Sequence, residues 1–134
     1  MALGELRAAI AQGVDFSGFY EGPDLVAVMG LQAVDDVALI RHAYTRSASH
    51  HRGFGTALLQ HLRAGADHPI LIGTWRAATW AIHFYQKQGF QLVAPDNAKD
   101  GLLRRYWTVP ERQMAESVVL ADERWFAEAG YQRV

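Results

Sequence analysis

The stretch from Val37 to Gly55, VALIRHAYTRSASHHRGFG, constrains this chain more than any other. It begins as an apolar, β-favouring run and crosses a basic and polar loop. It ends in Gly53-Phe54-Gly55 at the start of an amphipathic helix, with Thr56 next. Strand, glycine turn and helix N-terminus together make an anion cradle, because main-chain N–H groups point outward there and the helix dipole favours negative charge. Glycine lets a phosphate approach the main chain without meeting a Cβ, and Thr56 adds a hydroxyl donor. Arg46, His50, His51 and Arg52 supply positive charge at the entrance. A glycine-rich helix start with no ligand fits the same residues, so the turn alone leaves both readings open. Two other phosphate turns fail on spacing. A P-loop needs a Gly-Lys-Ser/Thr ending, and a dinucleotide fingerprint needs a small residue where Leu58 stands.

The rest of the chain falls around that stretch. Leu3, Leu6 and Ile10 at helical spacing predict a helix over residues 2–12, closed by Gly13. Strands are expected at 16–20 and 25–31, joined through Glu21-Gly22-Pro23-Asp24 as an antiparallel hairpin. A turn over 33–36 then feeds the strand at 37–44. Leu58, Leu59 and Leu62 form one apolar stripe on a helix over 53–63. Pro69 to Thr74 reads as a buried strand. Ala78, Ala81, Ile82 and Tyr85 share one face of a helix over 77–88, which Gly89 stops, and a strand follows at 90–94. Alternating strands and helices imply right-handed crossovers and a parallel pair, 37–44 beside 70–74. Asp100 is expected to cap a short helix holding Leu102, Leu103, Tyr106 and Trp107. Residues 116–121 make a last strand antiparallel to 90–94, and Asp122 caps a terminal helix carrying Trp125 and Phe126. The fold class is therefore α/β (α+β), a mixed and mainly antiparallel sheet with helices on both faces, in a single domain spanning 1–134.

Composition narrows the function classes. Half of the 134 residues are hydrophobic, enough for a packed core, and a net charge of −1 gives no field for nucleic acid or an acidic membrane. The chain has no cysteine. Disulfides, thiolate metal sites and a cysteine nucleophile are thereby excluded. Its six histidines include no pair four residues apart, so no metal is expected. Glu5 and Arg7 stand where a secretory signal would be apolar, and no apolar run is long enough to cross a bilayer. A cytoplasmic protein is expected. Arg104-Arg105-Tyr106-Trp107 mixes base and aromatic as nucleic-acid surfaces do, but a helix with an apolar face and a basic edge accounts for it.

A second pattern follows the glycine turn: Ala81-Ile82-His83-Phe84-Tyr85-Gln86-Lys87-Gln88-Gly89-Phe90. With His50-His51-Arg52-Gly53-Phe54-Gly55 before it, the chain resembles the GNAT superfamily of N-acetyltransferases. That family carries a Gln/Arg-x-x-Gly-x-Gly/Ala turn, then a strand, then a helix ending like Ala-x-x-Phe-Tyr-x-x-x-Gly-Phe. The resemblance covers roughly residues 16–94. It departs from the pattern at His50, where glutamine or arginine is usual, and at Ala78, where an asparagine often contacts CoA. Family members also have a strand and a helix before the one expected at 2–12. The chain is thus read as an N-terminally shortened version, with a sheet edge that a second copy in a homodimer could cover.

The resemblance implies acetyl-CoA as co-substrate. Main-chain amides from Arg52 to Thr56, with His50 and His51 beside them, are expected to hold its pyrophosphate. The backbone of Ala43 and Tyr44 is expected to bond the pantetheine arm where the central strand and its parallel neighbour splay apart. Tyr85 matches the tyrosine that protonates the departing thiolate. A thiol near ~8.5 and a phenol near ~10 are close enough to share a proton as the C–S bond breaks. A core aromatic is the other reading of Tyr85. Acetyl transfer needs a neutral amine, and His42, Glu21, Asp36 and Glu116 are candidate bases, none of them singled out. The acceptor is a small-molecule or peptide amine. A non-catalytic acyl-CoA-binding module is the competing reading, motivated by His50, Ala78 and the short N-terminus.

Overall fold

The computed structural model describes residues 3–46, 53–95 and 97–129, in two compact units, 1–68 and 69–134. His50, His51 and Arg52 lie outside the described residues. No described helix is long and apolar enough to cross a membrane.

The first unit opens with helix α1 (Leu3–Ala11) and continues with β1 (Val14–Glu21), β2 (Asp24–Val34), β3 (Val37–Thr45) and helix α2 (Phe54–Gly65). Gly13 ends α1 with φ 95°, a backbone state that costs glycine nothing. Ala9 of α1 is buried, whereas Ile10, expected on its apolar face, is 55% exposed. β1–β2–β3 is an antiparallel meander. Gly22, at φ 59°, makes the first tight turn and Asp35, at φ 52°, the second. Aspartate tolerates that region better than most side chains. Val37 to Ile40 are all buried, so this end of β3 is covered on both faces. Leu58, Leu59 and Leu62 of α2 are buried as their spacing requires.

The second unit holds β4 (Ile70–Trp75), α3 (Thr79–Lys87), β5 (Gln91–Leu92), α4 (Asn97–Tyr106), α5 (Glu111–Met114), β6 (Ser117–Ala121) and α6 (Glu123–Ala129). β6 pairs antiparallel with β4 on one side and β5 on the other. The strand expected over 90–94 shrinks to Gln91–Leu92. Phe90 is still finishing α3, its N–H donating to the Tyr85 carbonyl at 3.1 Å. Gly89 turns the chain there at φ 98°.

Asp100 does not cap α4. The helix begins earlier, at Asn97, and Asp100 sits in its first turn, where a carboxylate still suits the dipole. Asp122 does cap α6: its Oδ1 accepts from Trp125 N at 3.1 Å. Its Oδ2 accepts from Ile70 N at 3.1 Å and from Arg124 Nη2 at 3.1 Å. One fully buried carboxylate therefore joins the start of β4 to the start of α6.

Candidate functional site

In the first unit the site is built where β3 stops being a regular strand. Val28 pairs with Tyr44 and Gly30 with Arg41. One residue of β2, Met29, thus faces two of β3, His42 and Ala43, which is a β-bulge. His42 takes φ 53°, a left-handed state that costs a non-glycine residue on the order of 1 kcal/mol or more. The strict alternation of side chains in a regular strand is broken at His42 and Ala43. His42, Ala43 and Tyr44 are exposed in succession, and half-buried Arg41 separates them from the four buried residues Val37 to Ile40. A bulge bends its strand and disrupts its ladder, so the chain leaves this end of β3 open.

Beyond β3 the chain returns at Gly53. Its φ of 79° and ψ of 9° are left-handed, and it serves as N-cap of α2. A Cβ built there meets nothing within 4 Å among the described residues. No acidic side chain lies in the first turn of α2, and the positive end of the helix dipole is not neutralised from within the helix. The Phe54 ring packs on Phe19 of β1 at 4.7 Å, which fixes the start of α2 against the meander. Gly55 and Thr56 are partly exposed. The open end of β3 and the open start of α2 thus belong to one compact unit.

In the second unit Tyr85 lies on the buried face of α3 with Ala81 and Ile82. Its ring meets Phe84 and Phe90 edge-on, at 5.2 and 6.0 Å. Burial pushes its phenol up to about 12, because the phenolate would lose its water. At neutral pH the hydroxyl therefore holds its proton firmly and can only give it to a developing base.

The same unit contains a recess of about 160 Å³, lined by Gly73, Thr74, Trp75, Leu103, Trp107, Val109, Gln113 and Ser117. The Trp107 indole lies across Gly73, where any Cβ would stand 3.1 Å from it. The basic–aromatic run at 104–107 is spent internally. Tyr106 is buried, Arg104 pairs with Glu111 at 3.2 Å, and Arg105 stands 4.9 Å over the Tyr106 ring.

The candidate bases fare unequally. Glu116 is engaged by Arg76 at 3.1 Å. Glu21 and Asp36 sit exposed in the two hairpin turns, and exposed His42 stacks on Phe16 at 5.9 Å. Sequence reasoning missed the bulge and with it Arg41. The available signal was the abrupt change in β3 from Val-Ala-Leu-Ile to Arg-His-Ala-Tyr.

Comparison with known proteins shows the family to which the chain belongs. A family model for the acetyltransferase (GNAT) domain matches residues 15–92. Among solved structures, a GNAT family acetyltransferase from Elizabethkingia anophelis with acetyl-CoA bound is 17% identical with a TM-score of 0.68. The match covers 91% of this chain and 83% of that one. The ribosomal-protein-S18-alanine N-acetyltransferase of Escherichia coli is 16% identical with a TM-score of 0.66, covering 91% and 76%. A Bacillus subtilis acetyltransferase in complex with CoA is 22% identical with a TM-score of 0.62, covering 90% and 83%. These structures share the mixed α/β, mainly antiparallel fold of this chain. No curated protein sequence gives a significant match.

Proposed function

Because the chain belongs to the GNAT acetyltransferase family, we propose that it transfers an acetyl group from acetyl-CoA to a primary amine, by direct attack within a ternary complex. Residues 1–134 act in this reading as one acetyltransferase domain. The observation that carries it is the pairing, in one compact unit, of an open left-handed Gly53 turn with the bulged, exposed end of β3. The amides of Gly53 to Thr56, with Arg52, His50 and His51 leading into them, would bind the diphosphate as a preformed anion site. The backbone of the exposed residues Ala43 and Tyr44 would bond the pantetheine arm like an added strand.

In the transfer the neutral amine nitrogen attacks the thioester carbonyl carbon. The C–N bond forms, the C–S bond breaks, and the amine gives its extra proton to water or a base. The thiolate takes a proton from the Tyr85 hydroxyl, which water restores. Burial keeps the phenol protonated at neutral pH, and its rise to about 12 also makes it a weaker acid, so the proton moves only as full negative charge develops on the sulfur beside it. Most of the rate would come from alignment of amine and thioester, with no covalent enzyme intermediate. A cytoplasmic location and a homodimer covering the outer edge of β1 belong to the same reading.

The test is a calorimetric CoA titration followed by thiol release from acetyl-CoA across an amine panel. Binding with amine-dependent thiol release is expected. Binding without release on any amine would convert the protein into an acyl-CoA-binding module, and no binding would remove the proposal altogether.

A further inference from the structure

Arg41 is placed like no other described arginine. Its Nε donates to Gln32 Oε1 at 3.0 Å, and Gln32 is itself braced, its Nε2 donating to the Gln12 carbonyl at 2.9 Å. The guanidinium is therefore oriented by a relay from α1 through β2. Its two Nη groups have no acceptor and no carboxylate among the described residues. Arg76, Arg104 and Arg124, by contrast, each face one within 3.2 Å. Arg41 is only partly exposed, and burial lowers its pKa with no nearby acid to offset it. A braced, half-buried cation without a counter-ion is a costly arrangement in a folded chain. It is cheap only when an anion arrives with a ligand.

The surroundings say what kind of ligand. Arg41 pairs with Gly30 across the sheet. The Phe16 ring lies over that glycine, 3.2 Å from where a Cβ would stand, and the His42 ring stacks on Phe16. Guanidinium and aromatic wall thus lie together on the meander, immediately before the bulge. A pantetheine arm anchored at the Gly53 turn and running back along β3 would pass Thr45, Tyr44 and Ala43, with Arg41 next. At about 3.3 Å per strand residue, Arg41 lies about one side-chain length beyond Ala43.

We propose that the acceptor is a free amino acid, and that Arg41 grips its carboxylate so that the neighbouring α-amine is presented to the thioester. The inference rests on the acetyl-transfer reading above and chooses among the acceptors that reading leaves open. In a peptide N-terminus the adjacent carboxyl is an amide, and a lysine side chain has none near its amine. Neither would neutralise Arg41. A guanidinium–carboxylate pair is bidentate and charge-assisted, and it is the strongest discrimination this face of the meander can make.

The experiment measures thiol release from acetyl-CoA with each of the twenty proteinogenic amino acids. The best acceptor is then compared with its α-carboxamide and its decarboxylated amine. Spermidine, tyramine and an N-terminal tripeptide serve as carboxylate-poor controls. We expect the acid to exceed its carboxamide by roughly ten- to hundredfold in kcat/KM. That ratio should fall to about one in Arg41→Gln and recover in part in Arg41→Lys. CoA affinity, measured by calorimetry in each variant, reports that the fold persists. Equal rates on acid and carboxamide in the wild-type protein, a ratio that survives Arg41→Gln, or activity confined to the carboxylate-poor amines would overturn the inference. Absence of CoA binding would instead defeat the transfer reading, so the two failures are told apart.

Discussion

Two strand-to-helix junctions in this molecule use opposite chemistry. Where β6 runs into α6, Asp122 is fully buried. Its two oxygens accept from Trp125 N and Ile70 N and face the Arg124 guanidinium. Where the chain enters α2, the cap is Gly53, which offers no side chain, and no acid follows in the first turn. The first junction closes its backbone donors on itself. The second holds a left-handed glycine whose Cβ position no described residue occupies. A helix start completed by its own carboxylate serves the fold, whereas one built from glycine leaves its dipole for a ligand.

The largest effect that separates the two belongs to Asp122. Asp122→Ala strands two buried N–H groups, Ile70 and Trp125, and removes the partner of Arg124. Loss of the cap and of buried satisfaction together should cost about 3 kcal/mol, a fall in Tm of roughly 10 °C. Urea and thermal unfolding measure it. CoA affinity at a temperature where the variant is folded should not move. A loss of CoA affinity out of proportion to the stability loss would break the distinction between a closed and an open junction.

Tyr85 sits between the two categories: packed like a core residue, yet assigned a chemical step. Tyr85→Phe should lower kcat by roughly a hundredfold and leave the CoA dissociation constant unchanged. The same group gives a second readout. Its folded pKa of about 12 lies above the usual phenol value, so its contribution to stability is complete below about pH 10 and is lost as pH rises through 12. The loss amounts to about 2–3 kcal/mol for a shift of that size. Unfolding measured from pH 9 to 12 should show that slope in the wild type and a flatter one in Tyr85→Phe. If turnover is unchanged while the slope flattens, Tyr85 is core and nothing more.

The sequence makes the closed parts of the molecule legible and hides the open ones. Asp122 ahead of Trp125 and Phe126, the Leu58–Leu59–Leu62 stripe and the Gly22 hairpin are local patterns, and local patterns decide local structure. Asp100 misleads because an aspartate suits a cap and a first turn equally. Ile10 misleads because apolar spacing on α1 cannot tell which of two adjacent residues, Ala9 or Ile10, meets the sheet. The bulge at His42–Ala43 leaves no local signature. It is a mismatch of register between β2 and β3, visible only once Val28 and Gly30 are seen opposite Tyr44 and Arg41. Arg41 was hidden for the same reason, since its lack of a carboxylate among the described residues is a fact about space. The Gly53 turn was legible as a possibility in the sequence, and its left-handed backbone and open front required coordinates.

Gly53→Ala tests the open junction itself. With no described residue within 4 Å of the added Cβ, the expected stability cost is backbone strain, about 1–2 kcal/mol for an L-residue held left-handed. The methyl group would stand where the diphosphate must approach, so the CoA dissociation constant should rise about tenfold while the protein still unfolds cooperatively. The signature is therefore the mirror image of Asp122→Ala, with binding lost beyond what stability explains. Tight CoA binding by a folded Gly53→Ala protein would place the diphosphate elsewhere.

The finest test is Thr56→Val, in the first turn of α2. Valine keeps the β-branch and nearly the volume of threonine and removes only the hydroxyl. If the hydroxyl adds one donor to an anion held mainly by main-chain amides, its removal costs about 0.5–1 kcal/mol of binding, a few-fold rise in the CoA dissociation constant. Stability should change by less than about 0.5 kcal/mol. Comparing CoA with its dephosphorylated pantetheine fragment locates the effect. The loss should appear with CoA and vanish with pantetheine, because only CoA brings the diphosphate to the turn. A loss of equal size with both ligands would mean that Thr56 acts through the packing of α2 and that the main-chain amides bind the anion unaided.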